Sequence, residues 1–546
     1  MFCFQCEQAA KQTGCTAVGT CGKDPETAAL QDLLVYALKG ISVFAHRAAL
    51  EGYRSDALDS FTLDALFTTV TNVNFDPERM QLMLQRAAEM KALAKDLCRQ
   101  ADAGTEFGDV LDRATEWEPE PDLDALVRQG EQIGVEHRQQ VLGHDILGLQ
   151  EMLTYGLKGM AAYAHHAWVL GQTDPLVAAF VYEALDYLAT GRQSADKLLE
   201  LCLECGEVNL RVMELLDTGH TETFGHPEPT VVRTDPVPGK CLLVSGHDLA
   251  DLEAILRQTE GKGINVYTHG EMIPAHGYPG LKKFPHLIGT YGGAWQNQAR
   301  DFDVFPGAIV MTTNCIQRPK RSYQRRIFTC GMVAWPDVTH INDRDFTPAI
   351  DAALAAPGFT EAGPGKTIML GFGHNAVLGV ADKVIDAVKA GHIRHFFLVG
   401  GCDGAKAGRN YYTNFVENTP DDTVVLTLGC GKFRFHKSEL GDIGGIPRLL
   451  DCGQCNDAYS AIRIAGALAE AFDCDINELP LTLNISWYEQ KAVAVLLTLL
   501  RLGVKNIRLG PTLPAFATPG ILKILQDNYG LQTITDYESD LAAALG

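Results

Sequence analysis

From about residue 240 onward the chain alternates short apolar runs with helical patterns, and this alternation is its strictest constraint on fold. Runs at 242–245, 264–268, 308–312, 367–371, 395–400, 423–428 and 481–485 read as buried strands. Helical periodicity at 249–256, 377–390, 457–472 and 490–502 lies between them. Strands joined through helices return in the same direction, so they pair in parallel. Two doubly wound parallel sheets are expected. An echo points the same way: Leu243-Val244-Ser245-Gly246-His247 is matched in part by Leu370-Gly371-Phe372-Gly373-His374.

The chain before residue 218 reads as helix almost throughout. Asp24-Pro25-Glu26 supplies an N-cap, a first-turn proline and an acidic first turn. Leu30, Leu33, Leu34, Ala37, Leu38, Ile41, Phe44, Ala45 and Ala48 follow at helical spacing until Gly52 stops the pattern. The segment recurs: Tyr36, Leu38, Lys39, Gly40, Ala45 and His46 match Tyr155, Leu157, Lys158, Gly159, Ala164 and His165 without a gap. Duplication of a helical unit explains this better than convergence, and two related bundles are expected. Pro/Gly-rich stretches at 218–240 and 356–365 then divide the chain into a helical domain (1–223), a first α/β domain (224–365) and a second α/β domain (366–546).

The net charge of −22 argues against nucleic acid or a membrane surface as partner, and permits a basic redox partner. No uninterrupted apolar run reaches bilayer length. Only Met1 and Phe2 precede Cys3, so no signal peptide is expected before it, and fifteen cysteines then point to a reducing cytoplasmic setting and to metal.

Cys3, Cys6, Cys15 and Cys21 offer four thiolates around one small inorganic object. Their spacing leaves zinc and iron–sulfur both open, with iron–sulfur preferred. Further candidates fall where a predicted strand has just ended: His247, Glu271, Cys315, Cys402, Cys430 and Glu489. Open α/β sheets bind ligands at that edge, so one common site between the α/β domains is expected. Cys455 stands instead at a likely helix start, before Asn456-Asp457. Soft sulfur donors together with imidazole and carboxylate suit a cluster carrying both sulfide and oxygen.

Taken together, these residues resemble the hybrid cluster protein family, also called prismane protein or hydroxylamine reductase. The resemblance begins with Phe2-Cys3-Phe4-Gln5-Cys6, Cys15 and Thr20-Cys21-Gly22-Lys23. It continues through Gly246-His247-Asp248-Leu249, Thr290-Tyr291-Gly292-Gly293-Ala294-Trp295-Gln296 and Val399-Gly400-Gly401-Cys402-Asp403-Gly404. It ends with Gly429-Cys430-Gly431-Lys432, Gly453-Gln454-Cys455-Asn456-Asp457 and Trp487-Tyr488-Glu489-Gln490-Lys491. The short N-terminal spacing is similar to members that carry a cubane [4Fe-4S] cluster there.

The resemblance implies a helical domain followed by two α/β domains, related to nickel carbon monoxide dehydrogenases. It implies that His247, Glu271, Cys315, Cys402, Cys430, Cys455 and Glu489 ligate a hybrid [4Fe-2O-2S] cluster, with Cys402 able to carry an extra sulfur. The implied reactions are reduction of hydroxylamine to ammonia and of nitric oxide to nitrous oxide, a defence against nitrosative stress. Glu489, Lys491, Glu271 and Cys402 are the expected catalytic residues. The electrons would come from an external reductase or ferredoxin-like donor. The alternative is a nitric-oxide or redox sensor acting through Cys402 without turnover.

Other conspicuous residues have plainer explanations. Cys452, Cys202, Cys205, Cys98, Cys241, Cys330 and Cys474 are expected to pack as small hydrophobes. His46 and His165 are expected to pack between helices, whereas His269 and His374 flank the site region.

Overall fold

The computed structural model describes residues 1–101, 113–190, 193–405 and 408–546. Asp24 caps helix α1 (Pro25–Leu50), its side chain accepting from the Thr27 N–H. Next come α2 (Asp56–Thr68) and α3 (Pro77–Gln100), then α4 (Leu123–Glu131), α5 (Val135–Leu142), α6 (His144–Val169), α7 (Pro175–Ala189) and α8 (Ala195–Phe224). The duplicated helices α1 and α6 are the centres of two bundles. α1 packs on α3 and also on α7; α6 packs on α8 and also on α2. The bundles therefore interlock. His46 of α1 meets Asp186 of α7 at 2.8 Å, and its counterpart His165 of α6 meets Asp64 of α2 at 2.6 Å. Among the described residues, α1 is the one helix long and apolar enough on composition to cross a membrane, but 89% of its apolar window is buried in the protein.

Two sheets follow. The first contains β1 (Thr230–Arg233), β2 (Lys240–Ser245), β3 (Ile264–His269), β4 (Leu287–Thr290), β5 (Ala308–Met311), β6 (Ile327–Cys330), β7 (Thr339–Ile341) and β8 (Thr367–Leu370). Their order is β7-β6-β5-β2-β3-β4-β1-β8. The next strands are β9 (His395–Gly401), β10 (Thr423–Thr427), the small hairpin β11 (Asp442–Ile443) and β12 (Ile446–Pro447), β13 (Leu449–Asp451), β14 (Leu481–Ser486), β15 (Arg508–Gly510) and β16 (Gln532–Thr533). Six of them form the second sheet, in the order β13-β10-β9-β14-β15-β16 and wholly parallel. The expected architecture of two helical bundles and two doubly wound sheets is what the chain forms.

One strand differs. β8 was expected to be a buried parallel strand, but it pairs antiparallel with β1 at the rim of the first sheet, with Thr367 and Met369 exposed. The Pro/Gly stretch before it lets the chain turn back onto the sheet it has just built, and an edge strand needs only one apolar face. We therefore place the start of the second α/β unit after Leu370 rather than at 366. The helix expected at 377–390 is also split, into His374–Leu378 and Ala381–Lys389, at Gly379.

The helix Gln490–Arg501 joins the two halves of the molecule. It lies against both α6 and α8, and glycines make the approach possible. A Cβ on Gly159 would overlap the Gln490 carbonyl, and one on Gly206 would overlap the Leu497 carbonyl. Gly466, on the exposed face of helix Ala458–Phe472, meets nothing. Gly159→Ala should therefore cost about 1–3 kcal/mol through overpacking. Gly466→Ala should be neutral or stabilising by up to about 1 kcal/mol through helix propensity. Thermal unfolding of the two variants checks the contrast.

Candidate metal centres

The sheets bring all seven dispersed candidates to one end. His247 follows β2, Glu271 follows β3, Cys315 follows β5, Cys402 follows β9, Cys430 follows β10 and Glu489 follows β14. Cys455 joins this pattern too. It follows β13, a strand of three residues, and opens the 3-10 turn Cys455–Asp457 that leads into helix Ala458–Phe472. All seven side chains are buried. Ligand atoms of His247, Glu271 and Cys455 lie within 4.8 Å of one another. Cys315, Cys402 and Cys430 share one apolar cluster with Trp295 and Tyr488, and Cys402 Sγ lies 4.0 Å from Glu489 Oε1. Cys315 takes a φ of +79°, a left-handed conformation costly for any side chain bearing a Cβ.

Lys491 is the charge at the centre. Its ammonium lies 3.0 Å from His247 Nε2, 3.0 Å from Asn314 Oδ1 and 3.6 Å from Glu489 Oε1. Burial works against that charge, but the neighbouring Cys455 and Glu489 outweigh it and hold the lysine protonated. The same burial pushes the Glu271 and Glu489 carboxyls up, with Lys491 opposing it at both. It pushes the Cys455 thiol up to about 12 and raises those of Cys402 and Cys430 well above their ordinary value. His247 is driven strongly toward its neutral form by burial and then by Lys491, which suits an imidazole that donates a lone pair.

Several residues that position this set were not singled out from sequence. Gln454 donates to the backbone oxygens of His247 (3.0 Å) and Glu271 (2.7 Å), tying two strand ends of the first sheet to the loop of Cys455. The Cys455 N–H donates to Glu271 Oε2 at 3.0 Å. Thr313 Oγ1 lies 2.9 Å from His247 Nδ1 and so leaves Nε2 facing Lys491 and Glu271. Lys432, fully buried, donates to Asp451 at 2.6 Å. Gln454 and Lys432 each stand next to, or two residues from, a cysteine in the quoted motifs, which was the signal available.

The N-terminal cysteines form a second group. Cys3 and Cys15 face each other across a two-residue antiparallel bridge, with N···O distances of 3.0 and 2.8 Å. The Ala10 N–H points at Cys15 Sγ at 3.4 Å. Burial raises the Cys6 thiol, and Cys21, Cys3 and Cys15 add to the shift, so the four lie within electrostatic reach of one another. No described cysteine is in a disulfide. Buried Lys23 and Lys158 stand beside them, the latter donating to Gln5 Oε1 at 3.2 Å.

The donor chemistry at both places fits an iron–sulfur group. Four sulfurs with an N–H donor and buried cations behind them suit a thiolate-held cluster at the N-terminus. At the second place, four thiols, an imidazole and two carboxylates share one dry region. Glu271 Oε1 there is buried without a hydrogen-bond partner, an acceptor left available for a metal.

The remaining conspicuous residues lie elsewhere. Cys452 packs in the main core, with Sγ 3.9 Å from the Leu450 carbonyl. Cys202 and Cys205 face α6 in that same core. His269 sits between Ser245 and Asp301. His374 lies 3.1 Å from Ser460 Oγ and 3.6 Å from Asp217.

A cavity of about 390 Å³ reaches the second site. Tyr163, Cys402 and Cys455 line one part of it, and its walls are largely apolar, with Leu398, Leu428 and Ile462 among them.

Residues 1–542 match the family described as Prismane/CO dehydrogenase. A hydroxylamine reductase of Syntrophobacter fumaroxidans is 57% identical over 548 residues, covering 100% of both chains. One of Methanocella arvoryzae is 54% identical over 546 residues, again covering 100% of both. A carbon monoxide dehydrogenase of Thermococcus sp. AM4 shares the fold at a TM-score of 0.56 and 17% identity, over 99% of this chain and 90% of that one. Carbon Monoxide Dehydrogenase IV from Carboxydothermus hydrogenoformans does so at 0.56 and 17%, over 99% and 92%.

Removing the central ammonium should leave buried acids without their counter-charge. Lys491→Met should cost about 3–5 kcal/mol. It should also lower the iron content per chain, measured alongside thermal unfolding.

Proposed function

Because the chain belongs to the Prismane/CO dehydrogenase family, we propose that it is an iron–sulfur oxidoreductase that reduces hydroxylamine to ammonia, the activity for which its relatives are named. The convergence of four sulfur donors, one imidazole and two carboxylates at one strand-end site carries this reading. In it, Cys3, Cys6, Cys15 and Cys21 hold a [4Fe-4S] cluster that passes electrons inward. His247, Glu271, Cys315, Cys402, Cys430, Cys455 and Glu489 hold the hybrid cluster. When bound, that group supplies electrons and Lewis acidity toward nitrogen and oxygen.

The reaction, NH2OH + 2e⁻ + 2H⁺ → NH3 + H2O, needs protons delivered to a dry place. Glu489 is placed for this. Its carboxyl is raised toward the protonated form by burial, and its Oε1 lies 3.6 Å from the Lys491 ammonium, which stabilises the carboxylate left once the proton is given. Lys491 also keeps a positive charge within the site, which would favour departure of the oxygen. The apolar cavity suits a small uncharged substrate. This also favours nitric oxide, 2NO + 2e⁻ + 2H⁺ → N2O + H2O, as a second substrate of the same site. Tyr488 lies between the two groups: it stacks on Trp295 at 4.2 Å and packs in one cluster with Cys6, Cys315 and Cys402.

Glu489→Gln should keep a folded, iron-loaded protein and lose roughly a hundredfold or more of ammonia formation. Steady-state assay with a reduced mediator checks it, and full activity would remove the proton-relay role. The same assay separates catalysis from stoichiometric capture through Cys402, since only catalysis forms many equivalents of ammonia per chain. The two ligand sets share no residue. Cys6→Ser should therefore abolish the first cluster's paramagnetic resonance signal and keep the hybrid signal, and Cys430→Ser should do the reverse. Loss of both signals in folded Cys6→Ser protein would mean a single cooperative assembly.

A further inference from the structure

On an acidic chain of net charge −22, the nine residues Arg318 to Arg326 hold five cations and no acid. This run lies on the loop between β5 and β6, three residues beyond Cys315 of the same loop. The loop is anchored from beneath. Ile316 and Tyr323 are buried in a core against which Cys21 packs. Asn72 donates to the Ile316 carbonyl at 2.6 Å, and Arg326 folds back to donate to the carbonyls of Gly307 and Phe302. Lys320 is engaged by Asp303 at 3.1 Å. Arg318, Arg321 and Arg325 are exposed and have no hydrogen bond or ion pair among the described residues.

This patch adjoins the N-terminal cysteines. A Cβ on Gly22, next to Cys21, would stand 3.3 Å from the Trp335 ring and 4.0 Å from Arg318 Cβ. The segment between Cys15 and Cys21 also presents Val18, 59% exposed. An exposed apolar residue on a cysteine-bearing segment, with arginines against the same segment, has the make-up of a small, transient, charge-guided docking face.

We infer that Arg318, Arg321 and Arg325 form the docking surface for a small acidic one-electron carrier protein that reduces the N-terminal cluster. The chain-wide charge would by itself favour a basic partner. At physiological salt, however, exposed charges more than about 8 Å apart are largely screened. An approaching acidic carrier therefore responds to the patch it faces rather than to the chain total, and the repulsive remainder disfavours other approaches. One electron crosses per encounter: the carrier is oxidised, the cluster is reduced, and no atom moves. The inference rests on the reading that Cys3, Cys6, Cys15 and Cys21 hold a cluster.

The test uses the iron-loaded full chain and an acidic flavodoxin in its hydroquinone form, whose semiquinone appears as it gives up an electron. Methyl viologen radical serves as the donor that needs no docking. No hydroxylamine is present, so the result stands whether or not the protein forms ammonia. With flavodoxin, the triple variant Arg318→Glu, Arg321→Glu, Arg325→Glu should be reduced at least about tenfold more slowly at low salt and lose the salt dependence of the rate. The corresponding Gln variant should fall between it and the natural chain, and methyl viologen should reduce all three alike. An unchanged flavodoxin rate would overturn the inference. So would equal slowing with both donors, or equal slowing in the Gln and Glu variants, since either would trace the effect to loop packing rather than charge.

Discussion

The structure turns on the requirement that every polar group along residues 488–491 find a partner out of reach of water. The partners come from several distant parts of the chain. Tyr488 donates to Asn72 Oδ1 at 2.8 Å. Gln490 accepts from the Thr71 N–H at 2.8 Å and donates to the Gln5 carbonyl at 2.6 Å. Lys491 reaches His247 and Asn314 on the first sheet. An unpaired buried group of this kind costs about 1–3 kcal/mol. Satisfying all of them holds the N-terminal segment, the helical bundles and both sheets against one short stretch. The glycines of α6 and α8 contribute by letting the helix that carries this stretch come close enough.

Much of this was legible in the sequence because strand ends announce themselves. An apolar run followed closely by His, Glu or Cys marks a ligand-bearing edge, with Gly directly before His247, Glu271, Cys402 and Cys430, and these four lie together with Cys315 and Glu489. Cys455 was read as a helix start because β13 is too short to show a pattern. β1 and β8 were missed or misassigned because an edge pair needs only alternate apolar residues, and a proline-rich approach reads as linker. The echo between His247 and His374 has a structural basis: each imidazole Nδ1 and its own N–H share a hydroxyl, Thr313 in one case and Ser460 in the other. Only His247 stands among thiols. Sequence similarity preserved the local hydrogen bonding, while the surroundings set the chemistry available to each ring.

The two sets of sulfur donors also differ in how they depend on the fold. The N-terminal set is gathered by a short bridge and turns between residues 3 and 21, and is close-packed against the rest through Cys6 and Cys21. The dispersed set exists only once seven strands have ended in register, so its geometry reports on the whole α/β half at once. Thiols, carboxylates and a lysine held this dry are poorly compensated by one another alone.

The crossed pairs His46–Asp186 and His165–Asp64 carry a historical implication. A histidine on the first copy meets an aspartate on the second, and the matching histidine on the second copy meets an aspartate on the first. The histidines stand 119 residues apart and the aspartates 122, so the two contacts are reciprocal to within one helical turn, an approximate form of the isologous contact in which one surface meets its own twin. A lone bundle bearing such a face would carry both halves of the contact, and two identical chains would satisfy them in pairs. Fusing the copies in one polypeptide keeps that self-recognition but makes it intramolecular. Each half can then diverge, one next to the N-terminal cysteines and the other against the helix that carries Lys491, without losing its partner.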